Sequence, residues 1–126
     1  GVIINISSDY GIISPNQNIY RKEGVAEEDQ TIKPVSYSVV KHGIMGLTKY
    51  LATYWGKKGV RVNTLCPASL QNGQDPEFIE KLSALVPMGR MSRPDEYPAT
   101  VLYMLSDASS YMTGATVVLD GGRTIW

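Results

Sequence analysis

The sequence holds one cysteine, Cys66, so no internal disulfide can form, and a reducing, cytoplasmic setting is expected. It also holds one histidine, His42, which with no second histidine makes a metal site implausible. Neither sign of charge is in excess: Lys plus Arg and Asp plus Glu each number 12, a formal net charge of +0. Without a basic surplus or a basic run, neither nucleic acid nor a membrane surface is an expected partner. No apolar stretch approaches the ~20 residues of a membrane span. No charged start leads into an apolar signal segment. Internal repeats and low-complexity tracts are lacking too.

What is there describes an ordinary globular domain over residues 1–126, with 43% hydrophobic and 19% charged residues. Residues 2–6, Val-Ile-Ile-Asn-Ile, are short and β-branched and read as a strand buried on both faces. Because the chain opens directly in such a strand, a piece of a longer protein is expected. Residues 9–35 carry Pro15, Gly24, Pro34 and the acidic run Glu27-Glu28-Asp29, and read as a long surface excursion. From Val35 to Gly56 the period becomes helical, with Val40, Ile44, Leu47, Leu51 and Trp55 forming one apolar stripe that suits core packing or a subunit contact equally. A second strand follows at 60–65, closed by Pro67. A helix is expected over 76–86, another from Arg93-Pro94-Asp95-Glu96 to about Asp107, and a last strand at 116–119. This order implies right-handed crossovers and a parallel sheet.

Tyr37 and Lys41 stand four residues apart on the long helix, which puts both on one face, about 5–6 Å apart at Cβ. An ordinary tyrosine, with a pKa near ~10, is a poor acid or base at neutral pH. An ammonium one helical turn away favours the phenolate, so the pair suits proton transfer to or from an alcohol or carbonyl oxygen. Taken alone, two exposed residues on a helix would look the same. The context adds to it: Asn5-Ile6-Ser7-Ser8 ends a strand, where α/β sheets place ligand-binding residues.

Together with the segments running from Gly59 to Pro67 and from Met112 to Gly122, in this order and spacing, the chain resembles the short-chain dehydrogenase/reductase family. The likeness covers nearly everything outside residues 9–35, and is closer to reductases of sugar pathways. It implies the C-terminal half of a Rossmann-type doubly wound parallel sheet, about three strands with flanking helices. It also implies NAD or NADP as cofactor, a small-molecule substrate and a homodimer or homotetramer. Ser8 matches the family's catalytic serine, Tyr37 its proton donor and acceptor, and Lys41 the lysine that assists the tyrosine and binds the nicotinamide ribose. Pro67 and Ala68 match the loop beside the nicotinamide, and Asn72 stands where many members place a carboxamide-binding Thr.

Three departures accompany the likeness. Position 68 is Ala where the family usually has Gly, which lowers backbone freedom. Between Ser8 and Tyr37 lie 28 residues, longer than the family's usual dozen or so. The surplus is expected to wall or cover the substrate site, with Asn16, Gln17, Asn18, Tyr20, Arg21 and Lys22 suited to a hydroxylated or anionic substrate such as a sugar derivative. The glycine-rich pyrophosphate loop and the Asn-Asn-Ala-Gly segment are absent from these 126 residues, so weak or no cofactor binding by them alone is expected. Two other readings stand beside the oxidoreductase: a non-catalytic binding or assembly piece, and a sugar epimerase or dehydratase using the same Tyr and Lys. Cys66 and His42 read as structural, and Asp120-Gly121-Gly122 as the tight turn after the last strand.

Overall fold

The computed structural model describes residues 1–126. Three parallel strands, β1 (Val2–Ile6), β2 (Arg61–Pro67) and β3 (Thr116–Leu119), form one sheet in the order β1-β2-β3. Val2 pairs with Arg61 and Ile6 with Leu65, while Thr64 pairs with Thr116 and Pro67 with Leu119. A parallel pair needs a long crossover. The first carries α1 (Val35–Trp55) and the second carries α2 (Pro76–Ser83) and α3 (Pro98–Leu105). All three strands therefore end at one rim, where Ser7, Ala68 and Asp120 leave the sheet.

β2 is the covered strand, with Val62 to Cys66 all buried. β1 is less covered than its apolar sequence promises. It is an edge strand, its residues are half-buried, and Ile6 is exposed. The apolar stripe of α1 divides: Val40 and Leu47 face outward, Ile44, Leu51 and Trp55 are half-buried, and the buried residues of the helix are Thr48 and Ala52. One residue turns a helix by about 100°, so neighbouring rows meet different surroundings. The docking is polar. Thr48 Oγ1 accepts from Asn5 Nδ2 at 2.8 Å and from Thr64 Oγ1 at 2.7 Å, tying α1 to both β1 and β2.

The stretch expected as one helix from Arg93 to Asp107 is divided. Pro94–Glu96 is a 3-10 turn, α3 starts at Pro98, and a further 3-10 turn spans Asp107–Ser109. Pro98 lacks an N–H and restricts Tyr97 before it, so the ladder cannot run through. Arg90 grips Glu96 with both guanidinium ends, at 2.8 and 2.6 Å, and this pairing holds the Glu96 carboxyl down to about 2. The excursion of residues 9–35 is built from 3-10 turns at Asp9–Gly11, Gln17–Tyr20 and Glu27–Asp29. Its buried Ile19 anchors it in a cluster with Leu82 and Met91.

Asn63, fully buried in β2, donates to Met112 O at 2.9 Å and accepts from Ala115 N at 3.0 Å. It thereby closes the backbone of the segment entering β3. Asn63→Leu would strand Ala115 N, while Met112 O keeps its bond from Arg61 Nη1 at 3.1 Å, and should cost about 1–3 kcal/mol, the scale of one unsatisfied buried group. Urea unfolding of the complete protein measures it. A loss below about 0.5 kcal/mol would show that Ala115 N finds another partner.

Candidate active site

The rim end of β1 is tied to α1 before any side chain of the cleft is placed. Ser7 N donates to Leu65 O at 2.8 Å, and Ser7 Oγ donates to Lys41 O at 2.7 Å. Ser8, with extended backbone, caps the turn of residues 9–11: its Oγ accepts from Tyr10 N at 3.2 Å and donates to Asp9 Oδ1 at 2.7 Å. Gly11 then passes so close to α1 that a Cβ there would sit 2.7 Å from Lys41 O.

On α1, Tyr37 and Lys41 lie together as their spacing requires. The Lys41 ammonium is 5.6 Å from the Tyr37 ring centroid and donates to Ile6 O at 3.1 Å, which fixes it at the end of β1. A second cation, Lys33, lies 3.8 Å over the same ring, and Tyr10 meets the ring edge-on at 6.3 Å. Ser8, Tyr37, Pro67 and Ala68 all line one open cleft of about 340 Å³, with Tyr10, Tyr20 and Lys33 completing its walls. Ala68 is pinned from two sides: its N–H donates to Leu119 O at 3.1 Å, and its carbonyl accepts from the Tyr97 hydroxyl at 3.2 Å. Its backbone stays out of the left-handed region, so the missing glycine causes no strain.

Three tyrosines share the cleft, and their surroundings separate them. Burial pushes the Tyr10 phenol far above its ordinary value and raises Tyr20 as well, and the Tyr20 hydroxyl donates to Tyr10 Oη at 3.2 Å. Both are held as neutral phenols. Tyr37 is the one flanked by ammonium groups.

Not every residue picked from the sequence arrives here. Asn72 is exposed on the turn beyond Leu70, its N–H held by Gln74 Oε1 at 2.7 Å, and it does not line the cleft. The strand-like bridge of Leu70 with Ser92 turns the chain outward before Asn72. In the excursion, Asn16 caps its own turn, Gln17 brackets the backbone of Lys33, and Arg21 pairs with Glu27. Those polar groups hold the excursion together, and only Tyr20 of the expected set faces the cleft. Lys33, Tyr10 and Asp9 were missed. Lys33 carried no spacing signal, since it precedes α1 and the extended Pro34 separates it from the helix. Cys66 is enclosed, burial pushes its thiol up, and His42 is exposed with Nδ1 on Ser38 O at 2.9 Å, so both stay structural. No group of three His, Cys, Asp or Glu is placed to hold a metal, and no helix is long and apolar enough to cross a membrane.

Comparison with known proteins adds the following. A family profile described as Enoyl-(Acyl carrier protein) reductase matches residues 24–124. D-threitol dehydrogenase of Mycolicibacterium smegmatis is 33% identical over 130 aligned residues, covering 99% of this chain and 44% of that protein. A short-chain dehydrogenase from Leptospira borgpetersenii, solved with bound NAD+, superposes with a TM-score of 0.87 at 34% identity, over 98% of this chain and 44% of that one. A gluconate 5-dehydrogenase from Burkholderia cenocepacia, solved with NADP and tartrate, gives 0.79 at 27% identity, over 100% of this chain and 46% of that one. The chain thus spans less than half the length of these relatives.

Proposed function

The chain belongs to the short-chain dehydrogenase/reductase family, and from that premise we propose that it is the catalytic, C-terminal half of an NAD- or NADP-dependent oxidoreductase acting on a small hydroxylated substrate. The observation that carries this reading is the shared cleft: Ser8 and Tyr37 on one wall system, with the Lys41 ammonium 5.6 Å from the Tyr37 ring.

In oxidation, Tyr37 Oη takes the proton of the substrate hydroxyl, and in reduction it returns one to the carbonyl oxygen. The ammonium groups of Lys41 and Lys33 lie beside the Tyr37 ring, 5.6 and 3.8 Å from its centroid. The Ser8 hydroxyl rotates freely about its C–O bond and exchanges Asp9 for the substrate oxygen, holding that oxygen beside Tyr37. The donor set also fits the nicotinamide end of the cofactor. Lys41 has N–H groups left beyond Ile6 O to bind ribose hydroxyls, and Pro67 with the pinned Ala68 forms a flat, fixed bed beside them. The cofactor, when bound, carries the hydride.

Relatives named for threitol and gluconate support a polyol or sugar-acid substrate. The exposed Val40, Leu47, Tyr50 and Tyr54 along α1 support a homodimer or homotetramer in which a second copy covers that face. The lone buried Cys66 suits a reducing compartment such as the cytoplasm.

The test uses the complete protein with NAD or NADP and threitol, galactitol or gluconate, following reduced cofactor. Net formation of reduced cofactor is expected, and Lys41→Met should lower kcat/KM by about 10²- to 10³-fold while weakening cofactor binding. Turnover with no net change in cofactor would reassign the site to an epimerase or dehydratase. A Lys41→Met variant as active as the parent would remove Lys41 from the mechanism.

A further inference from the structure

Arg123, in the turn after β3, is 7% exposed, yet its guanidinium makes no hydrogen bond or ion pair within the protein, and its Nε is wholly enclosed. Only its backbone N–H is engaged, on Asp120 O at 3.1 Å. Asp9, 3% exposed, is in a related position. Its Oδ1 accepts from Ser8 Oγ and from Tyr10 N, while Oδ2 is enclosed without a partner. A cation buried without partners is costly to maintain, and such groups in native proteins ordinarily answer to something.

Both residues line a second cavity, about 350 Å³, which adjoins the catalytic cleft along a boundary formed by Asp9, Ala68 and Ser69. Its floor is apolar, from Leu82, Val86 and Met91. Its charged rim is Asp9, Asp120, Arg123 and the Arg90–Glu96 pair. Arg90 and Glu96 neutralise each other through two hydrogen bonds. That leaves two carboxylates against one guanidinium, a balance that repels phosphates and other polyanions. It accepts neutral hydroxyls, which donate to carboxylates and accept from a guanidinium at the same time. A polyol also presents C–H faces that the apolar floor can cover. The closed geometry of the turn backs the cavity wall: a Cβ on Gly121 would lie 2.9 Å from Val86 Cγ1, and one on Gly122 2.8 Å from Pro87 Cγ.

We propose that Asp9 and Arg123 form a hydroxyl-binding subsite beside Ser8, which takes the non-reacting hydroxyls of a neutral polyol or sugar whose reacting carbon lies at Tyr37. This rests on the oxidoreductase reading above and names its substrate class. Asp9 then has two duties: Oδ1 holds the Tyr10 N–H and takes the Ser8 hydroxyl whenever it is not on the substrate, and Oδ2 serves the substrate tail. Arg123 determines specificity and takes no part in the proton transfer.

The experiment compares the complete protein with its Arg123→Met and Arg123→Lys variants. Galactitol and threitol serve as polyols, and cyclohexanol as an alcohol with no second hydroxyl. For the polyols, Arg123→Met should raise KM by about 10- to 100-fold, the scale of one hydrogen bond to a charged group, with kcat little changed. Cyclohexanol kinetics should stay within about twofold, Arg123→Lys should recover part of the polyol affinity, and Tm should change little, because the guanidinium makes no hydrogen bond or ion pair within the protein. Unchanged polyol KM in Arg123→Met overturns the subsite, and so does an equal loss for all three alcohols together with a lowered Tm. Calorimetric titration of galactitol keeps the two readings separable. Polyol binding that disappears in Arg123→Met while no form turns over upholds the subsite and rejects the oxidoreductase.

Discussion

Replacing Tyr37 with Phe in the complete protein should lower kcat by about 10³-fold, within the range of 10²–10⁴ typical of a lost general acid or base. The change removes one oxygen and leaves the ring. The edge-on contact with Tyr10 at 6.3 Å and the Lys33 ammonium at 3.8 Å both involve the ring itself, so the fold and Tm should hardly respond. No neighbour can take over the proton. Tyr10 and Tyr20 lie in the same cleft, but burial holds their phenols above the ordinary value, and their hydroxyls are bonded to each other. Tyr10→Phe is the matched control. It removes that mutual hydrogen bond and should cost stability rather than rate. Single-turnover hydride transfer on both variants decides the matter, since a Tyr37→Phe protein retaining more than about a tenth of the parent rate would place the acid–base group elsewhere.

Gly11→Ala should damage both stability and rate, costing about 1–3 kcal/mol and lowering kcat by about 10²-fold. The added carbon would lie 2.3 Å from Ser7 Oγ, 2.7 Å from Lys41 O and 3.1 Å from Lys41 C. The serine hydroxyl could rotate away, but it would then abandon its 2.7 Å bond to Lys41 O. The Lys41 carbonyl is helix backbone and cannot yield without moving α1. Separation there carries Ser8 on one side and Tyr37 with Lys41 on the other, which is why a packing change should appear in the rate. Gly56→Ala makes the contrast. Gly56 ends the same helix with helical backbone and nothing within 4 Å of the new carbon, away from the row of Val40, Leu47, Tyr50 and Tyr54, and should stabilise the protein by about 1 kcal/mol. Thermal unfolding and kcat for the two variants, measured side by side, check the pair. A Gly11→Ala protein as stable and active as the parent would mean that β1 and α1 adjust freely at this crossing.

Much of the architecture was legible because it depends on short-range periodicity. The apolar run of 2–6, the helical spacing from Val35 and the β-branched run ending at Pro67 each appear within one or two residues of their expected bounds. Tyr37 and Lys41 were legible for the same reason, since a helix brings positions four apart onto one face whatever else the chain does. The sequence was less decisive where a local pattern has more than one way to be satisfied. The stripe of α1 suits core packing or a subunit contact equally, and in the fold Val40 and Leu47 face outward while the neighbouring row with Thr48 and Ala52 meets the sheet, where hydroxyls of Thr48 and Thr64 and the amide of Asn5 satisfy one another. The position of Asn72 also depends on long-range pairing, since the bridge of Leu70 with Ser92 precedes the exposed turn on which it lies.

The amino-acid order by itself determined the strand and helix succession and the Tyr37–Lys41 pair, since each follows from contacts between residues near in the chain, and the alternation of strand and helix in turn implied the parallel sheet. Only the folded arrangement decided that Gly11 lies against Lys41, that Lys33 covers Tyr37, and that Asp9 and Arg123 share one cavity. The last two lie at opposite ends of the chain, and no spacing rule relates them. They meet because parallel strands bring all their exits to one rim, a consequence of the whole sheet and of no segment alone.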